Sequence, residues 1–176
     1  ANLDRAATLL TGFKFRNAGQ VCTSPARILV HEKVYSAFRD RLLERVSSLK
    51  VGNGADAAVE MGPLANPRRL DAMEAFVQDA VDLNGSVLTG GRRVGNEGNF
   101  FQPTIFENVP REARLMSEEP FGPVMMLQPL PDFDSMIAEA NRLPYGLAAY
   151  AYTRSARTAA MVSEAVESGM VSINHH

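Results

Sequence analysis

The sequence contains one cysteine, Cys22, and no tryptophan. A single cysteine permits no internal disulfide, so a reducing compartment, the cytoplasm, is the expected setting. No apolar run approaches the roughly 18 residues of a membrane span. The first residues carry neither the basic nor the apolar region of a secretory signal, and no membrane partner is expected. Charge of one sign is scarce too: 18 Lys and Arg against 20 Asp and Glu leave −2, which gives no electrostatic reason to expect nucleic acid. Neither a Gly-x-Gly-x-x-Gly fingerprint nor a Walker A pattern occurs, so no self-contained nucleotide-binding domain is expected. The adjacent His175 and His176, native or tag remnant, lack a third ligand, and no metal site is expected. What is present is ordinary core material. Hydrophobic residues make up 45% of 176, enough for one domain. Ala1-Asn2-Leu3-Asp4 runs straight into a helical pattern without a starting Met, so the chain reads as a piece of a longer one.

The periodicities alternate along the chain. Asn2 is placed to cap a helix in which Leu3, Ala6, Ala7 and Leu10 recur at i, i+3, i+4, i+7, reaching about Phe15. After Pro25, the apolar run Arg27–Val30 predicts a strand covered on both faces. A second helix is expected over 33–49, with Val34, Phe38, Leu42, Val46 and Leu49 as its buried stripe and its charges on a solvated face. Gly52-Asn53-Gly54 opens a loop to Pro63, and Pro67 begins a third helix with the stripe Leu70, Met73, Val77, Ala80 and Val81. Asn84-Gly85 stops it. Strands follow at 86–89, 103–107, 124–130, 147–153 and 170–173. Short helices sit around Met136, Ile137 and Ala140 and after a Ser155 cap, and Asn174-His175-His176 dangles at the end. Strands alternating with amphipathic helices predict an α/β fold with a largely parallel sheet and flanking helices. The methionines and phenylalanines are core filling at helical or strand spacing.

Chemistry concentrates at two places. Cys22 lies in Asn17-Ala18-Gly19-Gln20-Val21-Cys22-Thr23-Ser24, between a helix end and a strand. A lone cysteine is more often a packed small hydrophobe than a reactive group, yet a thiol in a Gly-bearing bend is displayed to a ligand. Asn17 and Gln20 read first as braces of that bend. The second place is Glu118-Glu119-Pro120-Phe121-Gly122-Pro123-Val124, which on its own reads as a solvated acidic turn.

The pattern Asn-x-Gly-Gln-x-Cys at 17–22 resembles the nucleophile signature of the NAD(P)-dependent aldehyde dehydrogenase superfamily. The stretch 118–124 is similar to that family's cofactor-contact motif. Gly62-Pro63-Leu64, Gln102-Pro103-Thr104, Tyr145-Gly146-Leu147-Ala148 and Gly169–Asn174 extend the resemblance over nearly the whole chain. It implies that residues 1–176 are a segment of the catalytic, or thiol, domain, of the group similar to succinate-semialdehyde dehydrogenases. It also implies that the NAD(P)-binding domain and the oligomerisation strand lie elsewhere. Cys22 is then the nucleophile that attacks an aldehyde, passing through a thiohemiacetal and a thioester to the acid. Its backbone N–H is one oxyanion donor. Glu119 accepts hydrogen bonds from the cofactor ribose, Phe121 packs near the nicotinamide, and the cofactor is NAD or NADP. Glu118 is structural. The general base and second oxyanion donor lie outside the segment, so the isolated chain is expected to be inactive, and the full-length protein to be a homo-oligomer. Small, polar Thr23 and Ser24 favour a polar aldehyde.

Two readings compete. One is a Cys–His hydrolase pairing Cys22 with His31 or a terminal histidine, which lacks an orienting third residue; otherwise His31 is a surface residue. The other is a non-catalytic interaction module with an inert Cys22. At Arg69 some relatives carry a glutamine that reaches the cofactor ribose. Here the residue is Arg, and it reads as a solvated helix position.

Overall fold

The structure, a computed structural model, describes residues 1–175; the reading made of His176 lies outside the described residues. Helix α1 (Leu3–Phe15) is capped by Asn2, whose side chain accepts from the Arg5 N–H at 3.0 Å. Strand β1 (Arg27–His31) leads directly into α2 (Glu32–Ser47). His31 is not idle there, because its Nδ1 accepts from Lys33 N–H at 3.3 Å and caps α2. Helix α3 (Pro67–Asp82) has Pro67 in its first turn, behind an Asn66 cap. Beyond its last residue, Asp82, Asn84 takes φ 66° and lets Gly85 N–H reach Ala80 O at 2.7 Å. Strands β2 (Ser86–Thr89), β3 (Thr104–Glu107) and β4 (Val124–Leu130) follow, then α4 (Phe133–Ala140), β5 (Ala148–Ala151), α5 (Ala156–Ala165) and β6 (Met170–Ile173).

The strands form two sheets. One has the order β1-β4-β3-β2, with β1 and β3 parallel to β4 and β2 antiparallel to β3; β5 and β6 pair in parallel as a second sheet. Central β4 explains the arrangement: Val124, Met125, Met126 and Leu127 are all buried, as a strand covered on both faces requires. β1 was expected to be covered in the same way. It is an edge strand of this sheet, and only Val30 in it is buried.

Two further corrections concern helix stripes. On α3, Phe76 takes a core position, while Val81 in the last turn is 44% exposed. On α2, Val34 stays exposed and Phe38, Leu42 and Val46 carry the packing. The tail does not dangle as expected. Asn174 exchanges two hydrogen bonds with the Thr153 backbone, each 2.9 Å, and Ser172 Oγ donates to His175 O at 3.0 Å.

One buried carboxylate ties α4 to β1. Glu139 of α4 is 2% exposed and meets Arg27 of β1 at 3.1 Å, Arg142 at 2.9 Å and Arg111 at 3.2 Å. A carboxylate withdrawn from water this far needs such partners. Arg142 goes on to donate to Met116 O at 2.7 Å, and Tyr145 Oη donates to Ser117 O. These contacts tie the chain after α4 to Met116 and Ser117, just before the acidic bend.

Candidate active site

The chain reaches Cys22 through a left-handed turn. Asn17, Ala18 and Gly19 take φ 50°, 53° and 70° in succession. That conformation suits glycine, is tolerated by Asn and is costly for Ala, by about 1–2 kcal/mol. Local hydrogen bonds hold it. Asn17 Nδ2 donates to Gln20 O at 3.0 Å and Gln20 Nε2 donates to Asn17 O at 2.9 Å, so both residues brace the bend as their types suggest. Gln20 Oε1 also accepts from Ala65 N–H at 2.8 Å, tying the bend to the chain entering α3. A second turn then runs from Val21 to Ser24, closed by Ser24 N–H donating to Val21 O at 2.9 Å. Cys22 is its first central residue and is exposed. The N–H groups of the two central residues are not used by a turn's own closing bond. Ser24 Oγ donates to Lys14 O at 3.2 Å and Tyr150 Oη donates to Thr23 O at 3.1 Å, fixing the turn from two sides.

The acidic bend lies against this loop. A Cβ on Gly19 would overlap the Gly122 carbonyl, so that position requires glycine for close approach, whereas a Cβ on Gly122 would meet Met73 Sδ, the flexible end of a side chain that would have to shift. Phe121 takes φ 43°, an outlier for a bulky residue, and its side chain stays 36% exposed. Glu119 is exposed beside it. Glu118 is engaged instead by Arg114, at 3.0 and 2.9 Å, and that guanidinium holds its carboxyl below the usual range. Behind the bend Lys14 is 1% exposed. Burial lowers its ammonium to about 7, against the pull of Glu119 in the other direction.

The loop 17–24 that carries Cys22 and the bend 118–124 that carries Glu119 and Phe121, about a hundred residues apart in sequence, are thus joined through the Gly19–Gly122 backbone contact. An exposed carboxylate beside an exposed aromatic ring suits a ligand that carries both hydroxyls and a flat heterocycle, as a nicotinamide nucleoside does. His31 is not part of this grouping. It stands at the far end of β1 from Cys22, with roughly 13 Å of extended strand from Arg27 between, and its Nδ1 is occupied by the α2 cap.

Four residues near the site were missed or misread in the sequence. Arg69 is no solvated helix residue: its Nη2 donates to Pro120 O and, at 3.1 Å, to Phe121 O. Arg16 stacks over the Phe13 ring at 5.0 Å, and Phe13 meets Tyr150 edge-on at 5.1 Å. Burial pushes the Tyr150 phenol up, and it lies within electrostatic reach of both Arg16 and Cys22. The run Lys14-Phe15-Arg16, two cations around an aromatic residue just before the nucleophile stretch, was the available signal.

These features define the class as an α/β domain that displays its one thiol on a turn, in a loop packed against a bend with an exposed carboxylate and aromatic ring. The model of the aldehyde dehydrogenase family matches residues 1–176, and the chain belongs to that family. It is 45% identical over 174 residues to a probable NADP+ succinate-semialdehyde dehydrogenase of Sinorhizobium fredii, covering 99% of this chain and 35% of that relative. It is 41% identical over 174 residues to the NADP+ succinate-semialdehyde dehydrogenase GabD of Escherichia coli, covering 99% of this chain and 36% of that protein. A crystal structure of succinate-semialdehyde dehydrogenase from Burkholderia pseudomallei superposes with TM-score 0.96 at 39% identity, over 99% of this chain and 36% of that one. The chain therefore spans about a third of the length of the relatives it matches.

Proposed function

We propose that residues 1–176 are the catalytic-domain segment of an enzyme that oxidises an aldehyde to a carboxylic acid with NAD or NADP, through a thiohemiacetal and thioester on Cys22. The observation that carries this reading is the Gly19–Gly122 contact, which sets the thiol turn beside the Glu119–Phe121 bend. Cys22 supplies the attacking sulfur, and a thioester is the acyl link that water readily cleaves. The Cys22 N–H, left free by the turn's own closing bond, donates to the oxyanion that forms when sulfur adds to the carbonyl. Glu119 accepts from ribose hydroxyls and the Phe121 ring packs on the nicotinamide. The cofactor, when bound, supplies the hydride acceptor. The similarity to NADP+ succinate-semialdehyde dehydrogenases of Sinorhizobium fredii and Escherichia coli favours NADP+.

The aldehyde carries an anionic group. Arg16 is exposed and held on Phe13, within electrostatic reach of the same Tyr150 phenol as Cys22. A semialdehyde, whose far end is a carboxylate, is complementary to that cation. The full-length protein works in the cytoplasm as a homo-oligomer, without nucleic-acid or membrane partners; the near-balanced charge is in keeping with this. The test uses the full-length protein. Cys22→Ser should abolish aldehyde-dependent NAD(P)H formation while leaving the fold intact by circular dichroism. Glu119→Gln should weaken cofactor binding and leave Cys22 alkylation by iodoacetamide unchanged. Substantial dehydrogenase activity in Cys22→Ser would overturn the assignment.

A further inference from the structure

The first turn of α3 carries Arg68 and Arg69 and no acidic residue. Two cations at the positive end of a helix dipole do not serve the helix, so Arg69 must be explained by what it touches. Its guanidinium donates to two successive carbonyls, Pro120 O and Phe121 O, and sits over the Phe121 ring at 6.0 Å from the centroid. Its Nε is buried and, among the described residues, has no partner. The carbonyls it binds flank the left-handed φ of Phe121. An aromatic residue leaves that region readily unless its surroundings fix it. The same helix start is tied to the nucleophile loop, because Ala65 N–H donates to Gln20 Oε1, one residue before the Asn66 cap. The contacts close a ring. The thiol loop reaches α3 through Gln20, α3 reaches Phe121 through Arg69, and Gly122 returns to Gly19.

We propose that Arg69 is a positioning residue for the cofactor bend: by clamping the Pro120 and Phe121 carbonyls it keeps the Phe121 ring and the Glu119 carboxylate in register with the Cys22 turn. The inference rests on the functional reading above, which makes that bend the cofactor contact. Nη2 alone reaches both carbonyls while the flat guanidinium lies over the ring, so a lysine can keep a donor near the carbonyls but brings no planar cation to the ring. Arg69 therefore acts through Phe121 and not on the cofactor.

The test compares full-length wild type, Arg69→Met, Arg69→Lys, Phe121→Ala and the Arg69→Met/Phe121→Ala double variant. Calorimetry gives the NADP+ and NAD+ dissociation constants. Amide hydrogen exchange without cofactor reports the peptide spanning 118–123. Iodoacetamide reports Cys22. Arg69→Met should weaken cofactor binding by roughly tenfold to a hundredfold, the scale of a small misplacement at a reacting site. It should speed exchange at the bend and leave Cys22 alkylation close to wild type, with Arg69→Lys intermediate. The double variant should bind no more weakly than Phe121→Ala alone, because the clamp has no ring left to place. Unchanged cofactor affinity in Arg69→Met, or additive losses in the double variant, overturns the inference. So does a loss of alkylation selectivity and thermal midpoint together in both Arg69 variants, which marks general disruption. Absence of NAD(P) binding by wild type would overturn the functional reading, and the inference with it. Binding that ignores Arg69 overturns the inference alone.

Discussion

Gly19 and Gly122 pack backbone against backbone, with no room for a Cβ on Gly19 outside the Gly122 carbonyl. Gly19 also stands at φ 70°, which any L side chain adopts at a cost. Gly19→Ala must therefore either separate the thiol turn from the acidic bend or shift both. It should destabilise the protein by about 1–3 kcal/mol and lower turnover by roughly a hundredfold. Gly12→Ala is the control. Gly12 lies in α1 with nothing within 4 Å of its would-be Cβ, and should be neutral or stabilising by about 0.5–1 kcal/mol. Denaturant midpoints and steady-state rates on the full-length protein check both, and equal behaviour of the two variants would refute the close-contact argument.

Substrate charge gives the next prediction. If Arg16 reads a carboxylate, Arg16→Met should raise KM for a semialdehyde at least tenfold, since a charge-assisted hydrogen bond exceeds a neutral one in strength. The KM for a neutral aldehyde of similar length should change little, and the Cys22 alkylation rate should not fall. Equal changes for both aldehydes would mean that Arg16 only supports the Phe13–Tyr150 stack.

What the sequence revealed follows from the range of each signal. Element boundaries were legible because caps and periodicity are local: Asn2, Pro67 and Ser155 each mark a helix start that the structure repeats. The split into two sheets was not, because which strands pair depends on contacts between distant segments. At the site, the motif residues Cys22, Glu119 and Phe121 could be named from the resemblance, whereas their support could not. Arg69 lies at a helix position whose periodicity reads as solvated, and its partners are about fifty residues away. Glu139 likewise breaks the rule that carboxylates face water, and the arginines that justify its burial lie as far off as β1. The left-handed run at 17–19 had a partial cue in Asn17 and Gly19, but Ala18 gave none.

The last prediction concerns Lys14, fully buried behind the bend. Its ammonium titrates near 7 in the folded protein, against 10.5 as the ordinary value, because burial penalises the charge more than Glu119 favours it. Between those two values the unfolded chain binds more protons than the folded one, so stability should rise with pH from about 7 towards 10.5 and be flat with respect to this group below 7. Lys14→Met, similar in length and uncharged, removes the penalty. At and below pH 7 it should stabilise the protein by on the order of a few kcal/mol, and the upward slope above 7 should vanish. Glu119→Gln removes the one attraction that holds the Lys14 value up, so its rise in stability should begin at a lower pH than in wild type. Urea midpoints of the full-length protein at intervals from pH 6 to 10 separate these outcomes. Parallel curves for wild type and Lys14→Met would show that the amine reaches water in solution and that Lys14 is not the buried neutral group described.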